Sequence, residues 1–135
     1  MLSDFKKYQD FVYSLPGIYP QIEVSKLVLY RTGPLTGILE GVVKFRNNFT
    51  LDILEIIDFE YGIIQRYSYE IYQNEQKLYW YDCQPHPDDP TLSSTHPHHK
   101  HIPPDIKHNR KPAEHIHFDA PNLTFLIEEI INNFL

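Results

Sequence analysis

Between Ser3 and Leu15 the apolar residues Phe5, Tyr8, Phe11, Val12 and Leu15 recur at three- and four-residue spacing, the period of one helical face. Ser3 and Asp4 suit the N-terminus of that helix, and Pro16, Gly17 and Pro20 should end it, because proline disfavours helical geometry in the residue before it. From Ile22 to Cys83 the period shifts toward two and β-branched and aromatic residues dominate. Turn signals at Gly33-Pro34, Asn47-Asn48, Tyr61-Gly62 and Asn74-Glu75 divide the run into five strands, over 22–31, 37–46, 49–59, 63–72 and 77–83. Connections this short cannot hold a crossover helix, so the strands should form an antiparallel meander. Near the C-terminus Leu123, Phe125, Leu126, Ile127, Ile130, Ile131, Phe134 and Leu135 follow Asp119 and Pro121, predicting a final helix over 120–134 with Asp119 as its N-cap. The two helices are natural covers for one sheet face. The fold expected is α+β, a five-stranded antiparallel meander sheet covered by N- and C-terminal helices.

Residues 84–120 break the pattern. They hold all eight His and most of the eleven Pro, with few aliphatic residues, and read as a long loop of the kind that is usually functional or disordered. A chain of 135 residues with 41% hydrophobic content suits one domain over 1–135. One cysteine, Cys83, cannot form an internal disulfide, and no charged start followed by an apolar run marks a leader, so a cytoplasmic protein is expected. No 18 apolar residues run together, which argues against a membrane-spanning helix. The formal charge of -6 argues against a protein that coats nucleic acid non-specifically. Five glycines in no phosphate-loop spacing leave nucleotide-dependent chemistry without a footing.

The candidate chemistry centres on His96-Pro97-His98-His99-Lys100-His101. Imidazoles at His98, His99 and His101 could hold a divalent metal such as Zn or Ni. They could equally supply the acid and base of a phosphoryl transfer, with Lys100 holding the phosphate. A solvated loop with no chemistry is the plain alternative. Asp82, at the exit of the last strand and close to His86, could orient one imidazole. Arg66 alternates with Ser68, Glu70 and Tyr72, and its planar fork would grip phosphate oxygens. Glu55 shares the parity of Phe49, Leu51, Ile53, Ile57 and Phe59; a carboxylate on such a face needs a partner, and the turn at Tyr61-Gly62 brings Arg66 near residues 56–58. Cys83 adjoins Asp82, which disfavours a thiolate.

The run Arg66-Tyr67-Ser68-Tyr69, then Tyr81-Asp82 with Pro85-His86, then Pro97-His98-His99-Lys100-His101, resembles the TumE-like family of small bacterial toxins from toxin–antitoxin pairs. Glu55, Arg66, Tyr67, Tyr69, Tyr81, Asp82, His86, Pro97, His98, His99, Lys100 and His101 match the family's pattern. The chain departs from it at Cys83-Gln84 and in a longer polar segment carrying His108, His115 and His117. The resemblance implies a toxin encoded beside a small helix-turn-helix antitoxin and acting as a ribonuclease. On this reading Arg66 and Lys100 neutralise an RNA phosphate, His98, His99 or His101 exchange protons, Asp82, His86 and Glu55 complete the catalytic set, and Tyr67, Tyr69 and Tyr81 bind substrate. The rival expectation is a non-enzymatic module that holds a metal or a partner through the His-rich loop. Trp80 and the Tyr-rich strands offer such a partner a surface, and that partner could be a second copy of the chain.

Overall fold

The computed structural model describes residues 1–83, 99–102, 110–112 and 115–135. Helix α1 (Phe5–Ile18) is followed by strands β1 (Ile22–Ser25), β2 (Val28–Gly33), β3 (Thr36–Phe45), β4 (Phe49–Asp58), β5 (Ile63–Gln73), β6 (Gln76–Asp82), β7 (His99–His101) and β8 (Arg110–Pro112), and helix α2 (Leu123–Phe134) closes the chain. The strands form one antiparallel sheet in the order β1-β3-β4-β5-β6-β7-β8, with β2 also on β3. The α+β architecture is the one the periodicity predicts, with more strands than the five expected.

Each difference has a local cause. The expected first strand is divided in two at Lys26-Leu27, yet both halves keep one register on β3, with Val24 opposite Lys44 and Val28 opposite Glu40. At the break the Lys26 carbonyl passes over Gly41, whose φ is +137° and where a Cβ would lie 2.1 Å from that oxygen. Only glycine accepts this close approach. The segment read as a loop supplies β7 and β8. Both are short and carry no apolar alternation, so their strand character comes from the pairing edge of β6 and from rings on it to pack against. Asp4 caps α1 by accepting from the Lys7 N–H at 3.2 Å. The helix runs two residues past Pro16, because a proline late in a helix removes one ladder bond without stopping its last turn. Asn122, not Asp119, stands at the start of α2, since residues 118–120 bend to bring His117 back onto the Asn122 side chain.

Strand parity assigns the faces. Leu39, Val43, Leu51, Ile53, Ile57, Tyr69, Ile71, Tyr79 and Tyr81 point to the inner face, where they are buried with Tyr8, Val12 and Leu15 of α1 and Leu123, Leu126, Ile127 and Ile130 of α2. The alternate residues form an outer face that neither helix covers. β4 and β5 pair so that Glu55 faces Tyr67 and Ile56 faces Arg66, with a register shift beyond at Gln65. The hairpin between β5 and β6 turns through Asn74 and Glu75, both at positive φ, the backbone a two-residue turn needs to match strand twist.

Candidate functional site

The residues expected to act together divide between the two sheet faces. Glu55 is fully buried on the inner side, between the phenols of Tyr8 and Tyr69, which donate to its two carboxylate oxygens at 2.5 Å each. Tyr69 Oη in turn accepts from Asn122 Nδ2 at 3.1 Å, and Asn122 also closes onto both backbone groups of His117 at 2.9 Å. Burial raises the Glu55 pKa, and the two phenolic hydrogen bonds oppose that rise. Arg66 stands opposite Ile56, as counting from the turn predicts, but it is exposed on the opposite face from Glu55, whose donors are Tyr8 of α1 and Tyr69 of β5. Glu55 is thus a tie between helix and sheet, shut away from solvent.

Lys100 is likewise on the inner side. Its Nζ lies 3.2 Å from Glu129 Oε2 of α2 and over the rings of Tyr79 and Tyr81 at 4.8 and 5.3 Å. Glu129 also accepts from Tyr79 Oη at 2.9 Å and from Tyr81 Oη at 2.8 and 3.0 Å. Both phenol pKa values are pushed up, by burial first and by the Glu129 charge second. The ammonium expected to hold phosphate therefore fastens β7 to α2, and Tyr69 and Tyr81, expected to bind substrate, belong to the core.

The outer face of β6 presents a different group. Trp80 pairs with His101 across the ladder and the rings stack, centroids 4.2 Å apart and 14° from parallel. His101 Nε2 lies 3.1 Å from Asp82 Oδ2, which also accepts from Trp80 Nε1 at 3.2 Å. A carboxylate only accepts, so Nε2 carries the proton and Nδ1 is the basic nitrogen of the neutral ring. His101 is 2% exposed. Asp82 is half-buried and opens on a cleft of about 330 Å³ that it shares with Arg66, Ser68, Tyr67, Cys83 and Phe118. Tyr67 stacks on Tyr69 at 4.9 Å and leans on Phe118 at 5.9 Å; burial raises its pKa, with Cys83 and Asp82 adding to the effect. The Tyr67 N–H donates to Cys83 Sγ at 3.4 Å, so the thiol braces the cleft wall. His99 stands opposite Asp82 in the ladder. His86 and His98, together with His96 and His108, lie outside the described residues.

The family model described as "Toxin TumE" matches residues 14–134. The chain belongs to the TumE toxin family. No curated protein and no solved structure matches it. Membership makes the chain the toxin component of a toxin–antitoxin pair and implies a cognate antitoxin as its partner. In this toxin no helix among the described residues is long and apolar enough to cross a membrane. Among the described residues no three His, Cys, Asp or Glu side chains converge as metal ligands; of the metal set expected at His98, His99 and His101, the first lies outside them.

Three features of the toxin's site escaped sequence reasoning. Phe118 closes the cleft from the segment before α2, and the backbone bond from the Ile64 N–H to the Phe118 carbonyl, 2.7 Å, holds it there. Tyr8 reaches Glu55 across 47 positions. Glu129 gathers three partners where the apolar run of α2 drew attention away from its polar side. Glu129 lies beside Glu128 in a helix that also carries Thr124, Asn132 and Asn133, so its sequence position does not set it apart as the parity of its strand set Glu55 apart.

Proposed function

We propose that the toxin cleaves RNA by metal-independent transesterification in the cleft between Arg66 and Asp82. The guanidinium of Arg66 neutralises the scissile phosphate and grips two of its oxygens. One imidazole takes the proton of the 2′-hydroxyl as that oxygen attacks phosphorus, and a second gives a proton to the departing 5′-oxygen, leaving a 2′,3′-cyclic phosphate. His98 and His99 are the candidates for these transfers. His101, buried between Trp80 and Asp82, is a positioning residue that sets the carboxylate and the course of β7. Half-buried Phe118 supplies aromatic surface for a base, backed by Tyr67, which like Tyr69 and Tyr81 is buried in the core. Lys100 and Glu55 leave the catalytic set, since both are engaged on the inner face.

The observation that carries this reading is the juxtaposition of an exposed guanidinium and a histidine-bound carboxylate on neighbouring strands around one cleft. Incubation of purified toxin with RNA in EDTA tests it. Fragments ending in cyclic phosphate are expected, with cleavage lowered about 100-fold or more by Arg66→Ala and by His98→Ala/His99→Ala. Undiminished cleavage in either variant, or none by the wild type, would refute the mechanism.

A further inference from the structure

The sheet face that neither helix covers does not have the composition its exposure calls for. A sheet with one uncovered side normally turns polar residues outward. Read across the ladder, Tyr30, Ile38, Ile56 and Arg66 form one row, and Val28, Glu40, Leu54 and Ser68 the next. Val28 is 51% exposed, Leu54 38% and Tyr30 37%, with Ile38 and Ile56 half-buried beside them. Apolar residues scattered singly need no account, but a contiguous patch marks an interaction surface. In the following row Asp52 stands directly opposite Glu70, a like-charge pairing that destabilises a sheet. The Lys77 ammonium pairs with Glu70 at 2.5 Å and reaches Asp52 only through its charge. Burial and the Glu70 charge together push the Asp52 pKa up.

We propose that this face receives the cognate antitoxin through a cationic amphipathic segment, its apolar side chains on Val28, Leu54 and Ile56 and a Lys or Arg between Asp52 and Glu70. The charge chooses the occupant. A second copy of the chain, itself at -6, would meet Glu40, Asp52 and Glu70 with the same acidic face, and a nucleic acid would meet them with phosphates. The patch also runs into the cleft: Arg66 ends its first row, and Asp82 follows Ser68 in the second. A bound antitoxin therefore covers the approach to Arg66 and Asp82. That inhibitory consequence rests on the ribonuclease reading, whereas the docking surface does not.

The test uses the full toxin and the antitoxin expressed from the adjoining reading frame. Hydroxyl-radical footprinting should show oxidation at Tyr30, Leu54 and Ile56 falling several-fold in the complex. Leu54→Asp should weaken binding about 30-fold or more, as for a central interface side chain. Asp52→Asn/Glu70→Gln should weaken it about tenfold and flatten its salt dependence. Thermal melts of these surface variants establish that they fold. The proposal is overturned by protection confined to α1 and α2, by wild-type affinity in Leu54→Asp, by no binding to the wild-type toxin, or by a toxin dimer that Leu54→Asp dissolves. Should the footprint hold while purified toxin leaves RNA intact, the ribonuclease reading fails and the docking surface stands.

Discussion

Removing the Glu55 carboxylate tests whether it is a structural tie or a reactive group. Glu55→Ala leaves the phenolic protons of Tyr8 and Tyr69 without acceptors inside the core. Each buried hydroxyl left in that state costs about 1–3 kcal/mol, and the lost side-chain volume adds to it, so a destabilisation of about 3–5 kcal/mol is expected. Glu55→Gln behaves differently. Its amide oxygen can face Tyr69, which must donate because it already accepts from Asn122, while its NH2 donates to Tyr8; a cost within about 1–2 kcal/mol at neutral pH follows. The pH dependence carries a definite sign. Burial raises the folded pKa of Glu55, so its stabilising effect is complete below the unfolded pKa and is lost as pH rises through the folded one. Urea unfolding at a series of pH values above 4 should therefore show the stability of wild type minus that of Glu55→Gln falling with pH, by no more than about 1.4 kcal/mol per unit, then levelling. A difference that rises with pH, or Glu55→Ala costing under about 1 kcal/mol, would refute the assignment.

Lys100→Met separates anchoring from phosphate binding. Because the ammonium is held by Glu129 and two rings, the variant should lose about 1–2 kcal/mol in denaturant unfolding and exchange the backbone amides of β7 faster, with RNA affinity unchanged; weakened RNA binding at unaltered stability would contradict the inner-face placement. Gly41→Ala should cost at least about 2 kcal/mol, read by thermal melting, because its Cβ would strike the Lys26 carbonyl; a neutral result would mean the crossing is not that tight.

The sheet and both helices could be read from the chain because periodicity records burial on each element separately. The pairing of Glu55 with Tyr67 and of Ile56 with Arg66 follows from counting outward from the turn at Tyr61-Gly62, and the count fails only where Gln65 bulges. The partner of Glu55 was not legible, because the angle at which α1 crosses the sheet, and hence the reach of Tyr8, depends on the packing of the whole inner face. β7 and β8 were hidden for a related reason: His-Lys-His and Arg-Lys-Pro have no strand pattern of their own, and what makes them strands is the neighbour they meet. The candidate site was legible in composition and not in arrangement. The sequence draws Asp82, Lys100 and His101 into one group, but alternation along a three-residue strand sends Lys100 to one side and His101 to the other.

That alternation governs which changes of length the chain can absorb. Within β7 there is no latitude. A shift of one residue in its pairing would turn the ammonium away from Glu129 and bring the wrong side chain onto Trp80. Relatives and engineered variants should therefore not vary at all in the spacing between its lysine and the histidine after it.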